Sequence, residues 1–135
     1  MSAREKIPML KVLTSRKTVQ EIESVFNEVC ARHHFGVLGT INLQQKLNDK
    51  GVPFERECLI FEVCNPLQAK KVLEANIAIS AALPCRIAVY QEEGVTKIAT
   101  IRPTALLGMF PNPELAPVAR EVEETISRIM QDLAG

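Results

Sequence analysis

Two β-prone runs joined by a short polar turn constrain the fold of this chain most. Cys85 to Gln91 and Val95 to Ile101 contain β-branched and aromatic residues, and Glu92-Glu93-Gly94 separates them. Such runs on either side of a glycine-containing turn predict a β-hairpin, whose two strands are antiparallel. Any sheet that the chain forms must therefore contain an antiparallel pair.

Helix-capping signals predict where two helices begin. A capping box that starts at Thr18 precedes an apolar stripe, which predicts a helix over residues 19–34. Asn65 followed by proline predicts a second helix over 66–76, because asparagine caps free amides and proline suits the first helical turn. We expect the Gln68 side chain to reach back and complete this second cap.

The remaining segments alternate between strands and helices. Short apolar runs predict strands, and apolar residues at every third or fourth position predict helices. The strands are 9–13, 37–41 and 56–63, and the helices are 43–50 and 117–133. The order favours an α+β fold, with a mostly antiparallel sheet of about four to five strands and helices packed on one face. A doubly wound sheet is the weaker alternative.

Size and charge narrow the class of protein. The 135 residues fit a single domain, 1–135, in which we expect residues 1–8 to be flexible. The 16 basic and 16 acidic residues cancel, so we expect no nucleic-acid partner. The richest apolar run, Ala75 to Leu83, is far too short to span a bilayer, and because the charged N-terminus is followed by no sustained apolar run we expect no signal sequence. We therefore expect a cytoplasmic protein without membrane contact.

Two cysteine–proline elements, Cys64-Asn65-Pro66 and Leu83-Pro84-Cys85, are where we expect chemistry. Cys64 precedes the cap of a helix whose free amides and dipole favour negative charge, which would lower the pKa of a thiol held there. Cys85 reaches Cys64 only if its strand runs antiparallel to the strand that ends at Cys64. The alternative is that both cysteines are simply packed in the core.

Other side chains with ligand chemistry give weaker signals. Cys64 and Cys85 alone make an incomplete metal site, because zinc usually takes three or four protein ligands. His33-His34 are adjacent and therefore point to different faces, which predicts one core histidine and one solvated histidine. Cys58 shares a strand face with Cys64 if the strand is regular. The sequence identifies no cofactor.

Several motifs in the same order resemble the domain of unknown function 302 family. They are Phe35-Gly36-Val37-Leu38, Cys64-Asn65-Pro66 with Ala69, Leu83-Pro84-Cys85 before a strand, and Asn112-Pro113-Glu114-Leu115 with Val118-Ala119. The resemblance covers about residues 9–133. It implies a compact α+β fold, usually seen as a homodimer, and no settled activity.

Some positions depart from the pattern of that family. The chain has Asn42 and Arg102 where the family often has aspartate, and Arg86 where it has asparagine. Phe61-Glu62-Val63 stands where a Leu-Gly-Ala sequence often leads into the cysteine. The loss of two carboxylates and the gain of two arginines would make a pocket more favourable for anions.

Three functions are open at this point. The leading one is a homodimeric cytoplasmic binding module whose pocket, formed by Cys64, Asn65, Cys85 and Arg86, takes a small anionic, thiol-reactive or metal-bearing ligand. The second is a thiol-dependent redox enzyme or sulfur carrier that uses Cys64 and Cys85, although the sequence contains no recognised catalytic motif. The third is a structural or interaction protein whose C-terminal helix forms a dimer surface.

Overall fold

The computed structural model describes residues 9–135, which contain one five-stranded sheet. The segment expected to be flexible, 1–8, lies outside the described residues. The strands are β1 (Leu10–Ser15), β2 (Gly36–Asn42), β3 (Cys58–Cys64), β4 (Cys85–Glu92) and β5 (Val95–Ile101), in the spatial order β1-β5-β4-β3-β2. All pairings in this sheet are antiparallel, which confirms the α+β prediction and excludes a doubly wound sheet.

Five α-helices connect or follow the strands in the described part of the chain. They are α1 (Val19–Arg32), α2 (Leu43–Asp49), α3 (Pro66–Ala75), α4 (Pro103–Leu107) and α5 (Ala116–Ala134), with 3₁₀ turns at Ile77–Ala82 and Pro113–Leu115. The sequence did not predict α4 or the 3₁₀ turns, because segments of this length are too short to show a helical period. Between residues 9 and 135, no helix is long and apolar enough to cross a bilayer.

The predicted hairpin is present, with a tighter turn than expected. Glu92 pairs with Val95, so the turn itself consists of Glu93 and Gly94. Both turn residues have positive φ, 54° and 79°, as in the type I′ turn that matches the twist of a hairpin. Glu92 is buried, and its Oε1 accepts a hydrogen bond from Lys97 Nζ at 2.8 Å.

The main core lies between one face of the sheet and helices α1 and α5. Phe26 of α1 stacks on Phe61 of β3, with ring centroids 3.7 Å apart. The apolar stripe of α5 is also buried in this core, at Val122, Ile126, Ile129 and Leu133. The stripe therefore cannot form the dimer surface that the structural hypothesis placed there.

A second, smaller apolar cluster joins α3 to α4 and α5. Its buried members are Val72, Ile79, Leu107, Leu115 and Ala119. Val118 packs against both this cluster and the main core, so the two cores meet along α5.

The two histidines do not divide between core and solvent as predicted. His33 is half-buried, and its Nε2 lies 2.7 Å from Asp132 Oδ2, which joins the end of α1 to the end of α5. The preference of this side chain for a carboxylate partner explains why it stays near the surface. His34 is exposed and has left-handed backbone, with φ of 63°.

Candidate functional site

Antiparallel pairing of β3 with β4 brings the two cysteine–proline elements together. Val63 lies opposite Cys85 in the register, so Cys64 and Cys85 lie at the same end of neighbouring strands. Helix α3 starts two residues after Cys64, and the 3₁₀ turn at Ile77–Ala82 leads the chain back to β4. The two strands are therefore antiparallel, which is the arrangement that the two thiols need in order to meet.

A cavity of about 280 Å³ lies at this end of the sheet. Its walls come from five regions of the chain: Phe35 and Leu38; Val63, Cys64, Asn65, Gln68, Ala69, Val72 and Leu73; Ser80, Leu83, Pro84 and Cys85; Pro103, Leu106 and Leu107; and Val122. None of these residues is charged, and most are apolar. The volume is near the lower end of the range for small-molecule pockets.

A bulge in β2 places Leu38 at the opening of the cavity. Val37 pairs with Val63 and Gly39 pairs with Glu62, so Leu38 is the extra residue of the bulge. Its side chain lines the cavity and is nevertheless 66% exposed. Sequence reasoning did not include Leu38 in the site, although the Phe35–Leu38 motif that carried the family resemblance was the signal for it.

Asn65, and not Cys64, satisfies the free amides at the start of α3. Asn65 Oδ1 accepts hydrogen bonds from the backbone N–H groups of Leu67 and Gln68, both at 3.1 Å. These amides were expected to favour a thiolate at Cys64. Because a side chain already binds them, they are not available to stabilise a negative charge on sulfur.

Burial raises the pKa of both thiols in the cavity. The pKa of Cys64 is raised by desolvation. The pKa of Cys85 is raised to about 11, first by desolvation and then by the negative charge that a Cys64 thiolate would place beside it. The expectation of a lowered pKa at Cys64 is therefore wrong, because apolar surroundings disfavour the charged form. Both thiols are protonated at neutral pH.

Gln68 does not complete the helix cap that the sequence predicted. Its side chain lines the cavity, and its Oε1 is buried without a hydrogen-bond partner among residues 9–135. An unpaired buried amide oxygen costs about 1–3 kcal/mol. The cavity wall therefore contains an unmet hydrogen-bonding group next to the cap residue Asn65.

Arg86 lies outside this cavity, although the sequence placed it in the candidate site. Arg86 instead lines a smaller neighbouring cavity of about 210 Å³, together with Pro84, Cys85 and Leu106. Its side chain is 63% exposed, and its Nη2 lies 3.8 Å from Glu62 Oε2. Arg102, the other arginine that replaces a family residue, has its Nη1 3.8 Å from Glu123 Oε2 and does not line the cavity.

Neither of the other two cysteines lines the cavity. Cys30 is buried in α1, and Cys58 begins β3, six residues or about 20 Å along the strand from Cys64. All four cysteines are free thiols. Over residues 9–135, no group of three or more His, Cys, Asp or Glu side chains is placed to bind a metal ion.

Comparison with known proteins agrees with the fold and with the family resemblance. A family model described as "Domain of unknown function DUF302" matches residues 11–133. The chain is also similar to the crystal structure of an uncharacterized conserved DUF302 protein from Bacillus stearothermophilus, at 33% identity over 95% of this chain and 99% of that chain, with a TM-score of 0.88. Comparison with curated proteins gives no match. The chain therefore belongs to the DUF302 family.

Proposed function

We propose that this protein is a binding module for a small, largely apolar molecule, which it holds beside two neutral thiols. The observation that carries the proposal is the cavity of about 280 Å³, whose lining contains no charged side chain. Burial of apolar ligand surface there contributes about 25 cal/mol per Å². The Cys64 and Cys85 thiols, the Gln68 amide and the Ser80 hydroxyl are polar groups that would orient the ligand.

A neutral ligand fits this cavity better than an anionic one. Within the described residues, the two features that would attract an anion are engaged elsewhere. Asn65 binds the amides of α3, and Arg86 does not line this cavity and has its Nη2 3.8 Å from Glu62 Oε2. Thiol-reactive ligands, and ligands that carry a soft metal, are compatible with the site because both thiols line it.

Filling the cavity tests this function. Phenol and indole are suitable probes, and at ten times its Kd a probe stabilises the protein by about 1.4 kcal/mol, or about 3–5 °C in Tm. Ala69 lines the cavity from α3, so Ala69→Leu should abolish the shift while the variant still folds. Ala75→Leu places the same substitution at an exposed position of the same helix and should leave the shift unchanged. Absence of any shift in the wild-type protein would contradict the proposal.

A thiol-dependent redox enzyme or sulfur carrier is the second candidate. It is favoured by the placement of Cys64 and Cys85 in one cavity. It is disfavoured by the raised pKa of both thiols, because the thiolate is the nucleophile in such chemistry. The two candidates differ in how fast Cys64 should react near neutral pH.

We also propose that the protein is a homodimer of the cytoplasm. The family resemblance supports the dimer, and so do large apolar side chains that are strongly exposed near the cavity, at Leu38 and at Leu67 next to the cavity residue Gln68. Four free thiols suit a reducing compartment.

A further inference from the structure

We propose that Cys64 and Cys85 act as one bidentate dithiol that binds a soft, thiophilic centre inside the cavity. The inference deepens the binding function proposed above and rests on it for the apolar part of the ligand. Two observations carry it. Both thiols line the same cavity, and Cys64, the last residue of β3, directly follows Val63, the register partner of Cys85.

The donor set selects the chemistry of the bound centre. Sulfur is a soft ligand and prefers soft acceptors such as Cu(I), Hg(II) or As(III). A structural zinc ion would need four ligands. In the described range 9–135, no group of three or more His, Cys, Asp or Glu side chains is available for such an ion. A centre that is satisfied by two sulfurs is therefore the class that fits.

The side chains that line the cavity indicate the chemistry of the rest of the ligand. Around the thiols lie Val72, Leu106 and Leu107, with Leu38 at the opening. An apolar substituent on the soft centre would be buried against these side chains, which favours binding in proportion to the area removed from water. An aryl group bonded to the soft atom combines both requirements.

Phenylarsine oxide is a probe with this combination of groups. It condenses with two thiols in a reaction that breaks two S–H bonds and the arsenic–oxygen double bond. Two As–S bonds form, and the oxygen leaves as water with the two protons. Arsenic stays trivalent, so no oxidant or reductant is needed. The second As–S bond forms within the complex, which strengthens binding about 10²–10⁴-fold over a single thiol.

Cys58 supplies the matched control for this experiment. Like Cys64, it is half-buried in β3 and has a pKa raised by burial, but it lies at the opposite end of the strand and does not line the cavity. A reagent that merely reacts with any half-buried thiol would therefore modify Cys58 as well. A reagent held by the proposed dithiol would not.

The full chain is titrated with phenylarsine oxide, and bound arsenic is read by intact mass while remaining thiols are counted colorimetrically. We expect one arsenical per chain and protection of two thiols, with release by dithiothreitol but not by an equal concentration of glutathione. Cys64→Ser and Cys85→Ser should each weaken binding at least about 100-fold, whereas Cys58→Ser should not change it. Cys64→Ala and Cys85→Ala replace the serine variants if the hydroxyl in this apolar wall destabilises the fold.

Unchanged binding in either single variant, protection of Cys58, or no protection at all would overturn the inference. The thermal-shift experiment with phenol and Ala69→Leu tests the proposed binding of an apolar ligand separately. If phenol binds but no arsenical is held by the pair, the dithiol is wrong and the apolar-ligand function stands. If the arsenical is held by the pair but no apolar probe binds, the dithiol stands as a thiol site without an apolar-ligand function.

Discussion

Cys64 and Asn65 are adjacent residues with different environments at the start of α3. Asn65 Oδ1 accepts hydrogen bonds from two of the free amides at this helix N-terminus, while the Cys64 thiol lines an apolar cavity. The carbonyl group of asparagine is a much better acceptor than a neutral thiol, so it takes the amides. This competition between neighbours leaves Cys64 without the stabilisation that a reactive thiolate needs.

The rate at which the cavity thiols are alkylated should be low at neutral pH and should increase with pH. Because the pKa of Cys85 is about 11, its thiolate fraction at pH 7 is about one in ten thousand. We expect the iodoacetamide rate at Cys85 to increase about tenfold per pH unit from pH 7 to 10 without a plateau. Peptide mass spectrometry measures each site. Rapid labelling at pH 6 that is lost in Cys64→Ser would contradict this and favour the thiol enzyme.

For helices and strands, the sequence signals that gave correct predictions were local in the chain. The capping box at Thr18 is present as predicted, because Thr18 Oγ1 accepts from the Glu21 amide and the Glu21 carboxylate accepts from the Thr18 amide. The bulge at Leu38 could not be predicted in the same way. A bulge is defined by the pairing of β2 with β3, and the sequence of β2 alone does not contain that register.

The residues of the candidate site could also be predicted only where their signals are local in the chain. Cys64, Asn65 and Cys85 sit at element boundaries, and the direction of one strand decided whether they met. Arg86 was placed with them because it follows Cys85 in the chain, but it lines the smaller neighbouring cavity instead. The walls from α4 and α5 come from residues far away in sequence, so no local pattern could show them.

Removal of the Asn65 cap should destabilise α3 and open the site. We expect Asn65→Ala to lower the free energy of unfolding by about 1 kcal/mol, because two amides lose their acceptor. Urea denaturation measures the loss, and Asn65→Asp should restore most of it. Asn42→Ala is the matched control: Asn42 caps α2 through the Gln45 amide at 3.0 Å, and α2 does not line the cavity. Asn42→Ala should lower the free energy of unfolding by a similar amount without changing the rate of Cys64 alkylation, whereas Asn65→Ala should raise that rate because it opens the site. An equal effect of both variants on the rate would show that the cap does not shield the thiol.

At the scale of the whole molecule, the cavity exists because two apolar clusters meet along α5. The main core is built on the sheet, and the smaller cluster is built from α3, α4 and the 3₁₀ turns. Val72 and Leu107 belong to the smaller cluster and Val63 and Val122 to the main core, yet all four line the cavity. A pocket at such a junction responds to changes in either cluster.

Self-association should bury the exposed side chains of Leu38, which lines the cavity, and of Leu67. We expect light scattering to give a mass of twice the 15.0 kDa chain. Leu67 precedes the cavity residue Gln68 and is strongly exposed, so Leu67→Asp should raise the dimer Kd about 30-fold or more by placing a charge in an apolar contact. Val52→Asp is the control, because Val52 is exposed in the loop before β3 and does not line the cavity. A single-chain mass at every concentration would contradict the dimer, and equal effects of the two variants would place the contact elsewhere.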